Sequence, residues 1–299
     1  MTEQIAAVNG IEIAYETFGD PGDPPLLLIM GLGMQMLWWD DDLCRMLAER
    51  GFHVVRFDNR DVGCSSKTPG PPPRGLAAAM VRRPRRSAYT LDDMADDAVC
   101  LLDHLGIEAA HVMGVSMGGM IAQTLASRHP ERVLSLVSVM STTGNRRVGR
   151  AKPAMIALLL NRPPADRERN VERAVRTFRA IGSPGFPRDE AAIRERAGRS
   201  YDRCFHPAGV GHQLMAILAA GNRTRALGSI TAPTVVIHGE EDPLINVSGG
   251  RATARAIPGA RLMTIPGMGH DMPRQVWPRI VDALVENAAQ AAKPAPAPA

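Results

Sequence analysis

Several things are scarce in this chain, and each scarcity excludes something. The four cysteines, Cys44, Cys64, Cys100 and Cys204, form no Cys-x-x-Cys pair and no cysteine–histidine ligand set. That argues against a disulfide framework and against zinc. With only 3 Trp, 3 Tyr and 6 Phe, the core must be built from aliphatic side chains, alanine and some of the 16 methionines. No stretch interleaves basic residues with aromatic ones, so nucleic acid is a poor partner for this chain. No apolar run approaches the ~20 residues of a membrane span. Met1–Asn9 has neither the basic nor the apolar region of a secretion signal. The expectation is a reduced, cytoplasmic protein with no cofactor and no metal; a homodimer is left open.

What is present has ordinary globular proportions. The chain has 299 residues, 45% hydrophobic and 22% charged, enough for one large α/β domain or two small ones. Its net charge of +4 comes mostly from arginine, much of it within Arg74–Arg86 and Arg146–Arg203. The Lys67–Tyr89 stretch, with Pro71-Pro72-Pro73 and Arg82-Arg83-Pro84-Arg85-Arg86, reads as an irregular, solvated insertion rather than a partner patch, because charge runs are usually solvated.

Buried-strand and helix patterns alternate along the chain. Gln4–Val8 and Ile11–Thr17 flank Asn9-Gly10, the signature of a two-residue hairpin. Leu26–Met30 and His53–Phe57 are short unbroken apolar runs that suit strands buried on both faces, with helical spacing over Trp38–Arg50 between them. Thr90 is placed to cap a helix over Leu91–Leu105. Further strands are expected near His111–Met113 and over Arg132–Met140, Thr234–Ile237 and Arg261–Ile265, with a closing helix over Pro273–Asn287. Strand, helix, strand at this rhythm implies a mostly parallel eight-stranded sheet with helices on both faces.

From Ser141 to about Gly228 the strand rhythm stops. Prolines and helical spacing there suggest three to five short helices inserted as a cap over residues 141–228. Residues 1–140 and 229–290 then make up the sheet-bearing domain, and the Pro/Ala-alternating 291–299 an extended, disordered tail.

The stretch that organises the rest is Gly114-Val115-Ser116-Met117-Gly118, entered from an apolar run and followed by the helical pattern Gly119–Arg128. A strand–sharp turn–helix context is what a nucleophile elbow requires. Small residues two before and two after the serine avoid a Cβ striking the neighbouring strand or helix. The hydroxyl then projects over a helix N-terminus, which favours a developing anion.

Serine is a weak nucleophile until a base takes its proton, and the base needs an acid to hold its tautomer. Of the eight histidines, His270 alone stands in a Gly-x-Gly-His loop after the last expected strand, where glycines would let the ring swing inward. His53, His111 and His238 sit at strand ends and read as packed or locally satisfied. His104 and His129 fall on helix faces or termini, and His206 and His212 in the cap. For the acid, Glu240 and Glu241 compete with Asp242, which is followed by Pro243 and better placed beyond its strand.

In this order Gly114-x-Ser116-x-Gly118-Gly119, Asp58-x-Arg60-x-x-Gly63-x-Ser65, His238-Gly239-x-x-Asp242-Pro243 and Gly269-His270 resemble the serine-hydrolase (carboxylesterase) branch of the α/β-hydrolase superfamily. The resemblance covers residues ~4–288, the cap least. It implies the fold, the triad Ser116, Asp242 and His270, and an oxyanion hole made by the backbone N–H groups of Leu32 and Met117. Family members usually carry His-Gly after the third strand, where this chain has Met30-Gly31. Met-Gly there, with Asp58-Asn59-Arg60-Asp61-x-Gly63, is similar to the branch that includes aclacinomycin methylesterase. The expected reaction is hydrolysis of small to medium apolar carboxylic esters through an acyl-enzyme, the partners being the ester and water. C–C bond hydrolysis, perhydrolysis or acyl transfer by the same triad stays open, as does a non-catalytic binding protein.

Overall fold

The computed structural model describes residues 3–70, 75–81, 87–161 and 163–291. Its centre is one sheet of eight strands: β1 (Gln4–Val8), β2 (Ile11–Phe18), β3 (Pro25–Ile29), β4 (His53–Phe57), β5 (Ala110–Val115), β6 (Val133–Val139), β7 (Thr234–Gly239) and β8 (Arg261–Ile265). They lie in the order β1-β2-β4-β3-β5-β6-β7-β8. The β1–β2 and β2–β4 pairs are antiparallel and every other pair is parallel. Asn9 and Gly10 both take positive φ, 49° and 73°, which closes the β1–β2 hairpin as the Asn-Gly pair predicts.

The helices are α1 (Asp41–Glu49), α2 (Leu76–Val81), α3 (Leu91–His104), α4 (Met117–Arg128), α5 (Pro153–Leu160), α6 (Arg167–Ile181), α7 (Glu190–Arg203), α8 (Pro207–Ala220), α9 (Thr224–Leu227), α10 (Ser248–Ala256) and α11 (Trp277–Ala291). Strand side chains alternate between two apolar layers. Leu27, Ile29, Val55 and Val112 face the layer shared with α3 and α4, while Leu26, Leu28, Val54 and Met113 face the layer shared with α1 and α11. Both faces of β3, β4, β5 and β7 are therefore dry, which explains why their sequences are largely apolar runs and not alternating ones, whereas the edge strand β8 is exposed or half-buried along most of its length.

Element ends differ from the sequence reading in instructive places. The first helix starts at Asp41, not Trp38, because the Asp40 carboxylate caps it by accepting the Asp42 N–H. The Met36–Trp38 segment is a single 3-10 turn before it. Thr90 caps α3 in a reciprocal box with Asp93. The helix after Ser116 begins at Met117, two residues earlier than its glycines suggest, so the serine itself is the N-cap. Within the 67–89 stretch, expected to be irregular throughout, α2 forms. Pro71–Arg74 and Arg82–Arg86 lie outside the described residues, as does the expected disordered tail beyond Ala291. Between β6 and β7 the structure has α5 to α9 and no strand among the described residues.

Candidate active site

Ser116 leaves β5 with φ 55° and ψ −117°, a backbone conformation that side-chain-bearing residues rarely adopt. The turn survives because its neighbours are bare. A Cβ on Gly114 would sit 2.2 Å from the Gly118 carbonyl oxygen, and one on Gly118 would sit 2.0 Å from that of Ile29. The turn is held to the sheet by the Ser116 N–H on the Val139 carbonyl, and the Ser141 hydroxyl donates to the Ser116 carbonyl.

Three loops at the carboxyl ends of β5, β7 and β8 bring Ser116, Asp242 and His270 together. His270 Nε2 is 3.0 Å from Ser116 Oγ, and His270 Nδ1 is 2.7 Å from Asp242 Oδ2. A carboxylate can only accept, so Nδ1 carries the proton and Nε2 is free to accept the serine hydroxyl. Asp242 Oδ1 accepts the N–H groups of Leu244 and Ile245, each at 2.8 Å, so both carboxylate oxygens are oriented. Burial alone would raise this carboxyl. When His270 has also taken a proton at Nε2, its positive charge, with hydrogen bonds from His238, His270 and the Ile245 N–H, outweighs burial and holds Asp242 well below the usual carboxylate range. Glu240 and Glu241 are exposed, and Glu240 accepts the Thr264 hydroxyl instead.

His238 is closer to this centre than its strand-end position suggests. Its Nε2 donates to the Ile245 carbonyl at 2.7 Å and lies 3.5 Å from Asp242 Oδ2, while its Nδ1 is buried without a partner. Of the other histidines, His206 lines the cavity above Ser116, whereas His111 meets the Ser135 hydroxyl, His129 pairs with Asp96, and His104 packs edge-on to Tyr15. The glycines of the His270 loop do a different job from the swinging one expected. The loop is pinned, with the His270 N–H on the Ile181 carbonyl, the Gly269 N–H on the Ser183 hydroxyl, and the Gly185 N–H on the Gly267 carbonyl. Ser183, which also donates to Asp271, has no motif around it and was invisible in the sequence.

Leu32 and Met117 lie beside Ser116 in the wall of one cavity. Met117 is the first residue of α4, where an N–H has no partner one turn back. Among the described residues neither the Leu32 nor the Met117 N–H meets a protein acceptor, so both are free to bind a ligand oxygen. The Leu32 loop is closed by the Met34 N–H on the Gly31 carbonyl. Asn59 reaches it by donating to the Met30 carbonyl, and Asp58 by accepting the Met36 N–H. The Asp58–Ser65 motif is thus a scaffold: Arg60 forks onto Asp97, and the Ser65 hydroxyl donates to the Asp58 carbonyl.

The cavity above Ser116 encloses about 1130 Å³. Its walls come from the strand-end loops and from α5 to α8, with Met120, Met140, Leu214 and Ile217 among its apolar groups and Trp38 stacked on Phe178 at 4.8 Å. Among the described residues no three His, Cys, Asp or Glu side chains converge as a metal site requires, and no helix is long and apolar enough to cross a membrane.

Comparison with known proteins agrees with this architecture. The α/β-hydrolase fold family model matches residues 24–273. The chain is similar to rhodomycin D methylesterase DauP of Streptomyces sp. (strain C5), 31% identical over 95% of this chain and 97% of that protein. It is similar also to rhodomycin D methylesterase DnrP of Streptomyces peucetius, 30% identical over the same shares. In fold it is similar to the crystal structure of the enol-lactonase from Burkholderia xenovorans LB400, with a TM-score of 0.72, 23% identity, and coverage of 96% of this chain and 100% of that one. The chain belongs to the α/β-hydrolase fold family.

Proposed function

We propose that Ser116 is the nucleophile, His270 the general base and Asp242 its orienting acid in the hydrolysis of small to medium apolar carboxylic esters. That the protein is an ester-cleaving hydrolase follows from its family and from relatives named as methylesterases. The observation that carries the assignment is the unbroken hydrogen-bonded line from Ser116 Oγ through the His270 ring to Asp242 Oδ2.

In this reading Ser116 Oγ attacks the ester carbonyl as its proton passes to His270 Nε2. The carbonyl oxygen becomes an anion held by the Leu32 and Met117 N–H groups, an interaction of which one donor is typically worth ~10²–10³ in turnover. The imidazolium protonates the departing alcohol. Water, deprotonated by the same Nε2, then cleaves the acyl-enzyme and releases the acid and free Ser116. The segment between β6 and β7 acts as a cap over the site, and the largely apolar cavity receives the apolar part of the ester. A methyl ester is the first substrate to test, given the names of the relatives.

The test is a panel of esters varied in acyl and alcohol size, assayed with the wild type and Ser116→Ala, alongside covalent labelling by a fluorophosphonate. Turnover and labelling by the wild type and neither by Ser116→Ala are expected. Labelling that survives Ser116→Ala would mean that the nucleophile is another residue.

A further inference from the structure

The Leu32 loop is bonded to a helix far away in the chain. Gln213 on α8 is fully buried and spans two loops. Its Oε1 accepts the Gly33 N–H at 2.7 Å and its Nε2 donates to the Arg60 carbonyl at 2.9 Å. Both partners are backbone groups of fixed polarity, so the amide orientation is dictated: one end must accept and the other must donate. On the same stretch of α8, Val210 packs against Gly33, which has φ 67° and no room for a Cβ, and Gly209 packs against the Asp61 carbonyl. With Met34 N–H bonded to Gly31 and Gly33 N–H bonded to Gln213, the Leu32 N–H is left without a protein acceptor beside Ser116 in the cavity wall.

We propose that Gln213 is a positioning residue for the oxyanion hole: α8 delivers an amide that orients the Gly31–Met34 turn, so seating of the helical segment and stabilisation of the tetrahedral anion are one event. The inference rests on the ester-hydrolase reading of Ser116. Gln213 does not touch substrate; it acts through the Leu32 peptide.

The experiment uses the full chain, p-nitrophenyl butyrate as the probe ester, and kcat expressed per site titrated by a fluorophosphonate, so that unfolded molecules do not count. Gln213→Met keeps the length and apolar stem but neither accepts nor donates strongly. Its kcat should fall roughly 10- to 100-fold, less than complete loss of a donor, with KM changed little. Gln213→Glu supplies a second, independent reading. As the neutral acid it can accept from Gly33 and donate to Arg60, and as the carboxylate it cannot donate. Burial raises such a carboxyl, so the ratio of its kcat/KM to that of the wild type should climb as pH falls from about 8 to about 5.5; dividing by the wild type removes the titration of the triad. Should Gln213→Met fail to fold, this ratio carries the test alone. Wild-type kcat per titrated site in Gln213→Met, or a pH-independent ratio for Gln213→Glu, would overturn the inference. Absence of labelling and turnover in the wild type would remove the ester reading and the inference together, which distinguishes the two failures.

Discussion

The Arg203 guanidinium, in the last turn of α7, lies 2.6 Å from Asp58 Oδ2, a carboxylate with no solvent exposure at the end of β4. Arg203 also bonds Glu3 and the Gln35 side chain, whose own amide donates to the Ser200 and Cys204 carbonyls. One ion pair therefore ties the helical segment, the Leu32 loop and the sheet together. Burial pushes Asp58 up, and Arg203 with the Met36 and Cys64 N–H groups opposes it without cancelling it.

Removing the cation should be severe. Arg203→Met strands a buried carboxylate, and breaking such a pair typically costs about 3–5 kcal/mol. The folded Asp58 already lies above its unfolded value, so acid favours the folded state, and more so without Arg203. The loss measured by urea unfolding should be greatest at neutral pH and shrink as pH falls and Asp58 protonates. An equal loss at every pH would contradict this picture.

At the proposed nucleophile, stability and activity should part. Ser116→Ala abolishes turnover but keeps the strained backbone. Ser116→Gly abolishes turnover too and relieves the strain, offset by the extra freedom of glycine in the unfolded chain. Thermal melting should place Ser116→Gly at or above Ser116→Ala, by up to roughly 1 kcal/mol. A clearly less stable glycine variant would mean the φ of 55° is not strained in solution.

Asp242→Asn should cost on the order of 10⁴ in kcat, the size seen when the orienting acid of a serine-protease triad is amidated. Glu240→Gln and Glu241→Gln, on exposed side chains, should stay near wild type. Steady-state kinetics on one ester decides the ranking.

The same carboxyl sets an acid limit on stability. Its folded value is depressed, so its contribution is complete above the unfolded value of about 3.9 and is lost as pH falls from there toward the folded value. The stability gap between wild type and Asp242→Asn should narrow as pH falls below about 4. Chemical denaturation across that range is the measurement.

Substrate size should report the cavity. Each buried methylene contributes up to ~0.8 kcal/mol, so kcat/KM should rise with acyl length until the space is filled, then drop. Ile217→Trp, which narrows the wall, should move that optimum to shorter chains. An unchanged chain-length profile would mean the acyl group binds elsewhere.

Much of this protein is local and therefore legible in its residues. The central parallel strands such as β3 are apolar runs because both faces are buried, and the Asn9-Gly10 hairpin and the Thr90 cap depend only on neighbours in sequence. The Gly114-x-Ser116-x-Gly118 elbow is legible for the same reason: its clashes are with its own turn and the adjoining strand. The order of Ser116, Asp242 and His270 along the chain follows from parallel strands delivering their loops to one edge. What the tertiary structure decided lies between segments distant in sequence. Asp242 is proposed over Glu240 and Glu241 because the β7 loop buries one carboxylate against His270 and leaves the others in water. Ser183, Gln213 and Arg203 carry no motif, since a lone polar residue on a helix or loop gains its meaning only from the backbone group it meets. Those meetings are made by packing the helical segment onto the sheet, and no spacing within the segment records them.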